Sequence, residues 1–239
     1  MSRVPSSSDA SKVWEEFRTA TASDERHDRD ITFWFPSRSG YVLERELREL
    51  FLTAAKALRK EDARLYQLMT NSVSSRNRRT NKGLAYELFE TTLVYIIFKA
   101  FLAKDKDVQW EAGYSKNRQH KVDLAVGPSG SRILFEYKWW RDNQATTLQR
   151  IEYDIWKLRK ERAGQGFLVA FWWGCEGDDA GCPWTLTHDK RKVTRAYSKL
   201  HWVRKGCFFP VFLARFRTHV DCKHINHKQQ FVMLAFKVL

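Results

Sequence analysis

The sequence predicts an α/β fold, and two observations carry that prediction: the order of its periodic segments between Gly83 and Trp173, and a hairpin whose strands gather acids and a lysine on one face. Gly83 to Leu102 is apolar on nearly every side and reads as a buried helix whose opening turns carry Glu87 and Glu90. The run Leu93 to Phe98 would also suit a buried strand, but the apolar stretch is too long for one. Three strand candidates follow, Val108 to Tyr114, His120 to Gly127 and Arg132 to Trp140, the last two joined by the turn residues Pro128, Ser129, Gly130 and Ser131. Thr146 to Arg162 reads as an amphipathic helix with Leu148, Ile151, Ile155 and Leu158 inward, and Phe167 to Trp173 as a continuous apolar strand.

The flanks are read from composition and period. Residues 1–40, Ser-rich and then charged from Asp24 to Asp30, suggest a mobile N-terminal arm. Residues 41–82 suggest a helical layer and a basic loop: Leu43, Leu47, Leu50, Phe51, Ala54 and Leu58 recur at three- and four-residue steps, and Asn71 to Lys82 is polar and basic. Residues 83–174 make the core, and 175–239 a β-rich C-terminal extension packed on it, with strands at Cys207 to Phe216 and Gln230 to Val238.

The chain of 239 residues carries 42 Lys and Arg against 28 Asp and Glu, a formal charge of +14, and its cations recur in clusters. A polyanion is the natural partner. No stretch reaches the roughly 18 consecutive apolar residues of a membrane span, and Met1 to Arg29 lacks the apolar region of a signal peptide, so a cytosolic protein close to nucleic acid is expected. Cys175, Cys182, Cys207 and Cys222 lack the close pairs of a structural zinc site, and reduced thiols are expected.

Strand alternation puts Leu134, Glu136 and Lys138 on one face of their strand and Ile133, Phe135, Tyr137 and Trp139 on the other. If Ser129 and Gly130 form a two-residue turn, Asp123 lies opposite Glu136. Opposed like charges destabilise a strand pair, and a bound cation removes the objection. Carboxylate oxygens suit Mg²⁺ or Mn²⁺, which can bind a phosphate oxygen and lower the pKa of a bound water, with Lys138 orienting or helping to deprotonate that water.

An acid in a helix, then Asp123, twelve intervening residues and Glu136-Tyr137-Lys138, followed by a helix and a strand, resembles the PD-(D/E)xK nuclease superfamily over about Gly83 to Trp173. Gln149 and Tyr153 resemble the QxxxY motif of its RecB-type branch. The resemblance implies a restriction-endonuclease-like core, helix, three strands, helix, strand, with a mixed sheet flanked by helices. It also implies Mg²⁺- or Mn²⁺-dependent hydrolysis of DNA, with RNA as the other substrate. Asp123 and Glu136 would be metal ligands, Glu87 a further ligand with Glu90 in reserve, and Gln149 and Tyr153 would line the cleft and place the scissile strand. Val122 stands where the family has proline, and no cysteine precedes Asp123, which argues against the iron–sulfur variant.

The basic residues Arg78, Arg79, Lys82, Arg118, Lys121, Arg150 and Lys157 are the candidate phosphate contacts, with Arg159 beside them. A competing reading places Asp123 and Glu136 at a solvated sheet edge with Lys138 merely pairing with one of them. A bare (D/E)xK tripeptide also occurs at Asp221 to Lys223, and the segment His219 to His227 is dense in potential zinc ligands. A catalytically silent nucleic-acid-binding or assembly subunit on the same fold is the second functional reading, and a zinc-stabilised interaction protein the third. A double-strand cut would call for a homodimer or larger complex.

Overall fold

Apolar residues at helical spacing on one segment and at alternate positions on the next can be buried together only if helices cover a sheet. The computed structural model of the chain has that arrangement. It describes residues 7–22, 31–37, 41–72, 90–114, 120–129, 131–140, 145–161, 165–175, 200–221 and 228–239. Its elements are α1 (Ser7–Ala22), β1 (Thr32–Trp34), α2 (Arg45–Ser72), α3 (Glu90–Leu102), β2 (Val108–Gly113), β3 (Lys121–Val126), β4 (Ile133–Trp139), α4 (Ala145–Lys160), β5 (Gln165–Cys175), α5 (His201–Arg204), β6 (Phe208–Asp221) and β7 (Lys228–Val238). The strands form one seven-stranded mixed sheet in the order β1-β6-β7-β5-β4-β3-β2. Within it β4 and β5 run parallel, and the other neighbours are antiparallel.

Two apolar layers sandwich the sheet. On one face Leu47, Leu50, Phe51, Ala54 and Leu58 of α2 and Leu93, Ile97 and Phe101 of α3 meet Phe135, Tyr137, Phe167, Phe171 and Phe212. Phe51 anchors this layer, stacked on Phe212 with centroids 5.2 Å apart and edge-on to Phe135 and Phe167. On the other face Ile151, Ile155 and Leu158 of α4 pack with Leu134, Leu168 and Trp140. Gly166 sets how closely α4 approaches β5, since a Cβ there would meet Leu158 Cβ at 3.1 Å. That depth decides how far the inward side chains of α4 reach over β4.

Several expectations hold. Residues 45–72 form one helix, and 90–102 is a helix, not a strand. Pro128 accepts the Ser131 N–H across the turn, and β3 pairs with β4 as Leu124 with Phe135, Ala125 with Leu134 and Val126 with Ile133. This is the register the two-residue turn requires. No helix among the described residues is long and apolar enough to cross a membrane.

Two expectations need correcting. The segment 1–40, read as a mobile arm, carries α1 and β1: Val13 and Phe17 are fully buried, Trp14 donates to the Phe208 carbonyl at 3.0 Å, and β1 pairs with β6. Its few apolar side chains suffice because they fall on one helical face and meet a wall already built by β6 and β7. The C-terminal strands, expected as an extension packed on the core, are hydrogen-bonded into the same sheet, with β7 paired to β5 along its length. Period alone does not say which strand will accept a neighbour.

Candidate functional site

The polar cluster forms where β3 and β4 part. Strand pairing ends at Leu124 and Phe135, and beyond that point side-chain carboxylates take the backbone donors of β4. Asp123 Oδ2 accepts the Tyr137 N–H at 2.7 Å, and Glu90 Oε2 accepts the Trp139 N–H at 2.5 Å. Tyr137 and Trp139 are alternate residues, so their N–H groups point to the same edge of β4. Two carboxylates thus stand in for a missing strand, satisfying donors that would otherwise be buried and unpaired.

The backbone prepares this separation at Glu111, which lies in the left-handed region with φ 48°. Before it Val108 and Trp110 pack with the α2–α3 layer, and after it Ala112 and Tyr114 pack with the α4 layer. Strict alternation would have kept all four on one face. The exchange brings the Tyr114 hydroxyl under α4, where it donates to Glu136 Oε1 at 2.7 Å.

From above, α4 lowers two charged side chains. Lys157 Nζ lies 2.7 Å from Glu136 Oε1 and 2.7 Å from Asp154 Oδ1, and Lys138 Nζ lies 3.0 Å from Asp154 Oδ2 and 3.9 Å from Glu90 Oε1. Four carboxylates, Glu90, Asp123, Glu136 and Asp154, therefore share a small volume with two ammonium groups. Fully ionised, the cluster carries two negative charges in excess.

That excess appears in the titration of its members. Burial, followed by the charges of Asp123 and Asp154, pushes Glu136 up to about 7. Burial also raises Glu90 and Asp123, although the Trp139 and Tyr137 N–H groups and Lys138 oppose the shift. Burial works against the ammonium of Lys138, but Asp154 and Glu90 outweigh it and hold Lys138 protonated well above its ordinary range. Lys157 is raised in the same way by Glu136 and Asp154 against burial. The Tyr114 hydroxyl is held protonated, by burial and then by Glu136.

Glu136 is only 2% exposed and lies on β4, between β5 and β3, so the solvated-edge reading does not describe it. The structure brings Asp123, Glu136 and Lys138 to one place and adds Glu90, the reserve acid. Glu87, Arg78, Arg79, Lys82 and Arg118 lie outside the described residues. Gln149 and Tyr153 lie on the exposed side of α4, one turn apart. Lys121 pairs with Glu111 at 3.0 Å, Arg150 is exposed, and Lys157 turns inward to the carboxylates. Cys207 is a free thiol, and residues 222–227, with most of the ligand-dense C-terminal segment, lie outside the described residues.

Sequence reasoning missed Tyr114 and Asp154. Asp154 had a signal: with Ile151, Ile155 and Leu158 it completes a stripe at spacings of three, four and seven, so an acid sat in the apolar face of an amphipathic helix. Tyr114 had none, because its face depends on the backbone of Glu111.

The donor set is hard oxygen. Tyr137 takes Oδ2 of Asp123, while Tyr114 and Lys157 both approach Oε1 of Glu136, so Asp123 Oδ1 and Glu136 Oε2 carry no hydrogen bond or ion pair from the described residues. Among the described residues no three His, Cys, Asp or Glu side chains are gathered tightly enough to cage a metal ion. Two carboxylates with water and substrate oxygens are the smaller set that Mg²⁺ commonly accepts. Comparison with known proteins finds no matching family model, no matching curated protein and no matching solved structure.

Proposed function

We propose that the chain is a divalent-cation-dependent nuclease of the PD-(D/E)xK type with a restriction-endonuclease-like core, hydrolysing phosphodiester bonds of DNA, or of RNA in second place. The observation that carries this reading is the excess of carboxylate over ammonium where β3 leaves β4, with one oxygen each of Asp123 and Glu136 left without a partner among the described residues. Asp123 and Glu136 would hold Mg²⁺ or Mn²⁺, and the ion supplies Lewis acidity toward a phosphate oxygen and a more acidic water. Lys138, 3.0 Å from Asp154, would orient the attacking water or help to deprotonate it, and its ammonium would meet charge developing on the phosphoryl group. Asp154 fixes the Lys138 and Lys157 ammonium groups, and the formal charge of +14 supports a phosphate backbone as the substrate.

Linear, circular and single-stranded DNA, and RNA, incubated with Mg²⁺, Mn²⁺ or EDTA test the proposal. Cation-dependent cutting lost in Asp123→Ala supports it, and equal cutting by wild type and Asp123→Ala overturns it.

One observation favours a second reading. Lys157 already compensates Glu136 at 2.7 Å, as in a purely structural ion-pair network, which suits a silent nucleic-acid-binding subunit. Tight binding without cleavage of any substrate under either cation would select it.

A further inference from the structure

On the outward stripe of α4, beside the Gln149 and Tyr153 pair that the resemblance places along the scissile strand, lies an aromatic surface that includes Trp156 and Lys160. Tyr153 and Trp156 are 48% and 37% exposed, and their rings stack with centroids 5.6 Å apart and planes 22° from parallel. Lys160 Nζ stands 3.8 Å above the Trp156 ring, and Lys157 Nζ 5.6 Å from the Tyr153 ring. His120 meets Tyr153 edge-on from the start of β3, at 6.2 Å. Gln149, one turn before Tyr153, extends the same exposed stripe.

Two large rings left in water are costly unless something covers them; Lys160 flanks the Trp156 ring, and the Lys157 ammonium near Tyr153 is already paired with Glu136 and Asp154. Flat rings interleaved with cations match a strand of alternating bases and phosphates. Lys157 joins this surface to the cluster below, because the same ammonium that faces the Tyr153 ring touches Glu136 at 2.7 Å. A strand lying on the stripe would therefore pass beside the carboxylates. In a duplex the base faces are stacked on one another, so rings on a helix surface can take them only where the strand is unpaired.

We infer that Tyr153, Trp156 and Lys160 form a platform for unpaired bases, which makes single-stranded nucleic acid, or a single-stranded flank of a duplex, the preferred ligand. This rests on the nuclease reading for why a strand should lie here, but the platform can be measured by binding alone.

The experiment is fluorescence anisotropy in EDTA with a labelled thymidine oligonucleotide, an abasic oligonucleotide of equal length and a hairpin duplex. Wild type, Trp156→Ala, Trp156→Phe and Asp123→Ala are compared, with circular dichroism to confirm that each is folded. Trp156→Ala should weaken thymidine-oligonucleotide binding by about five- to a hundredfold and leave abasic and duplex binding within about threefold. Trp156→Phe should recover most of the loss. Equal losses on all three ligands, or no loss on the thymidine strand, would overturn the platform. A Trp156 dependence in a protein that never cuts overturns only the nuclease reading, and cutting without that dependence overturns only the platform.

Discussion

Lys157 Nζ and Glu136 Oε1 stand 2.7 Å apart beneath α4, so a lysine offers its positive charge to the same carboxylate that the nuclease reading assigns to a cation. The two positive groups compete. Replacing Lys157 with Met should tighten Mn²⁺ binding by on the order of tenfold at a pH where Glu136 is ionised, about 8.5, as read by calorimetric titration. Below pH 7 the gain should shrink, because Lys157 lowers the Glu136 pKa and its loss leaves more of the acid protonated. Unchanged Mn²⁺ affinity at pH 8.5 would mean that Glu136 is not a ligand.

Glu136 also makes stability depend on pH. Burial, and then Asp123 and Asp154, raise its pKa from 4.5 to about 7, so folding favours the neutral acid. The stability it contributes is full below about 4.5 and is lost as pH rises through about 7. In EDTA, Glu136→Gln should match wild type near pH 4.5 and exceed it by on the order of 1–3 kcal/mol at pH 8, measured by urea unfolding. A less stable variant at pH 8 would show that the Lys157 pair outweighs the cost of burial.

Asp123 and Lys138 divide the proposed chemistry between them, the aspartate binding the cation and the lysine acting on water and phosphate. Asp123→Ala should lose Mn²⁺ binding and cut on the order of a hundredfold or more slowly. Lys138→Met should lose a similar amount of cutting while still binding the ion. Lys138→Arg should recover part of it, since a guanidinium keeps the positive charge and the hydrogen-bond donors. Calorimetry beside single-turnover cleavage distinguishes the two variants, and loss of Mn²⁺ binding in Lys138→Met would contradict the assignment.

Asp154 is a positioning residue, fixing Lys138 at 3.0 Å and Lys157 at 2.7 Å. Asp154→Asn should lower kcat about tenfold or more with little change in KM, and Asp154→Glu should restore part of kcat. A rise in KM with kcat intact would instead place Asp154 in substrate binding.

The architecture has its own test in Phe51, which lies in the α2–α3 layer. It stacks on Phe212 and meets Phe135 and Phe167, so Phe51→Ala should cost about 3–5 kcal/mol in denaturant unfolding. A loss below about 1 kcal/mol would mean that α2 is not held on the sheet as described.

The α/β class, the helical state of residues 90–102, the β3–β4 register and the shared face of Glu136 and Lys138 were all legible in the sequence. Each follows from a period or a turn, which are local properties of a few neighbouring residues. Asp123, Glu136 and Lys138 were legible for the same reason. Only the tertiary structure decided that Asp154 and Lys157 reach down from α4, that Tyr114 changes faces at Glu111, and that the terminal strands extend the sheet. These depend on how deeply a helix seats on a strand, on one residue with positive φ, and on which sheet edge was open. Such quantities belong to segments that meet only after folding, so no local pattern carries them.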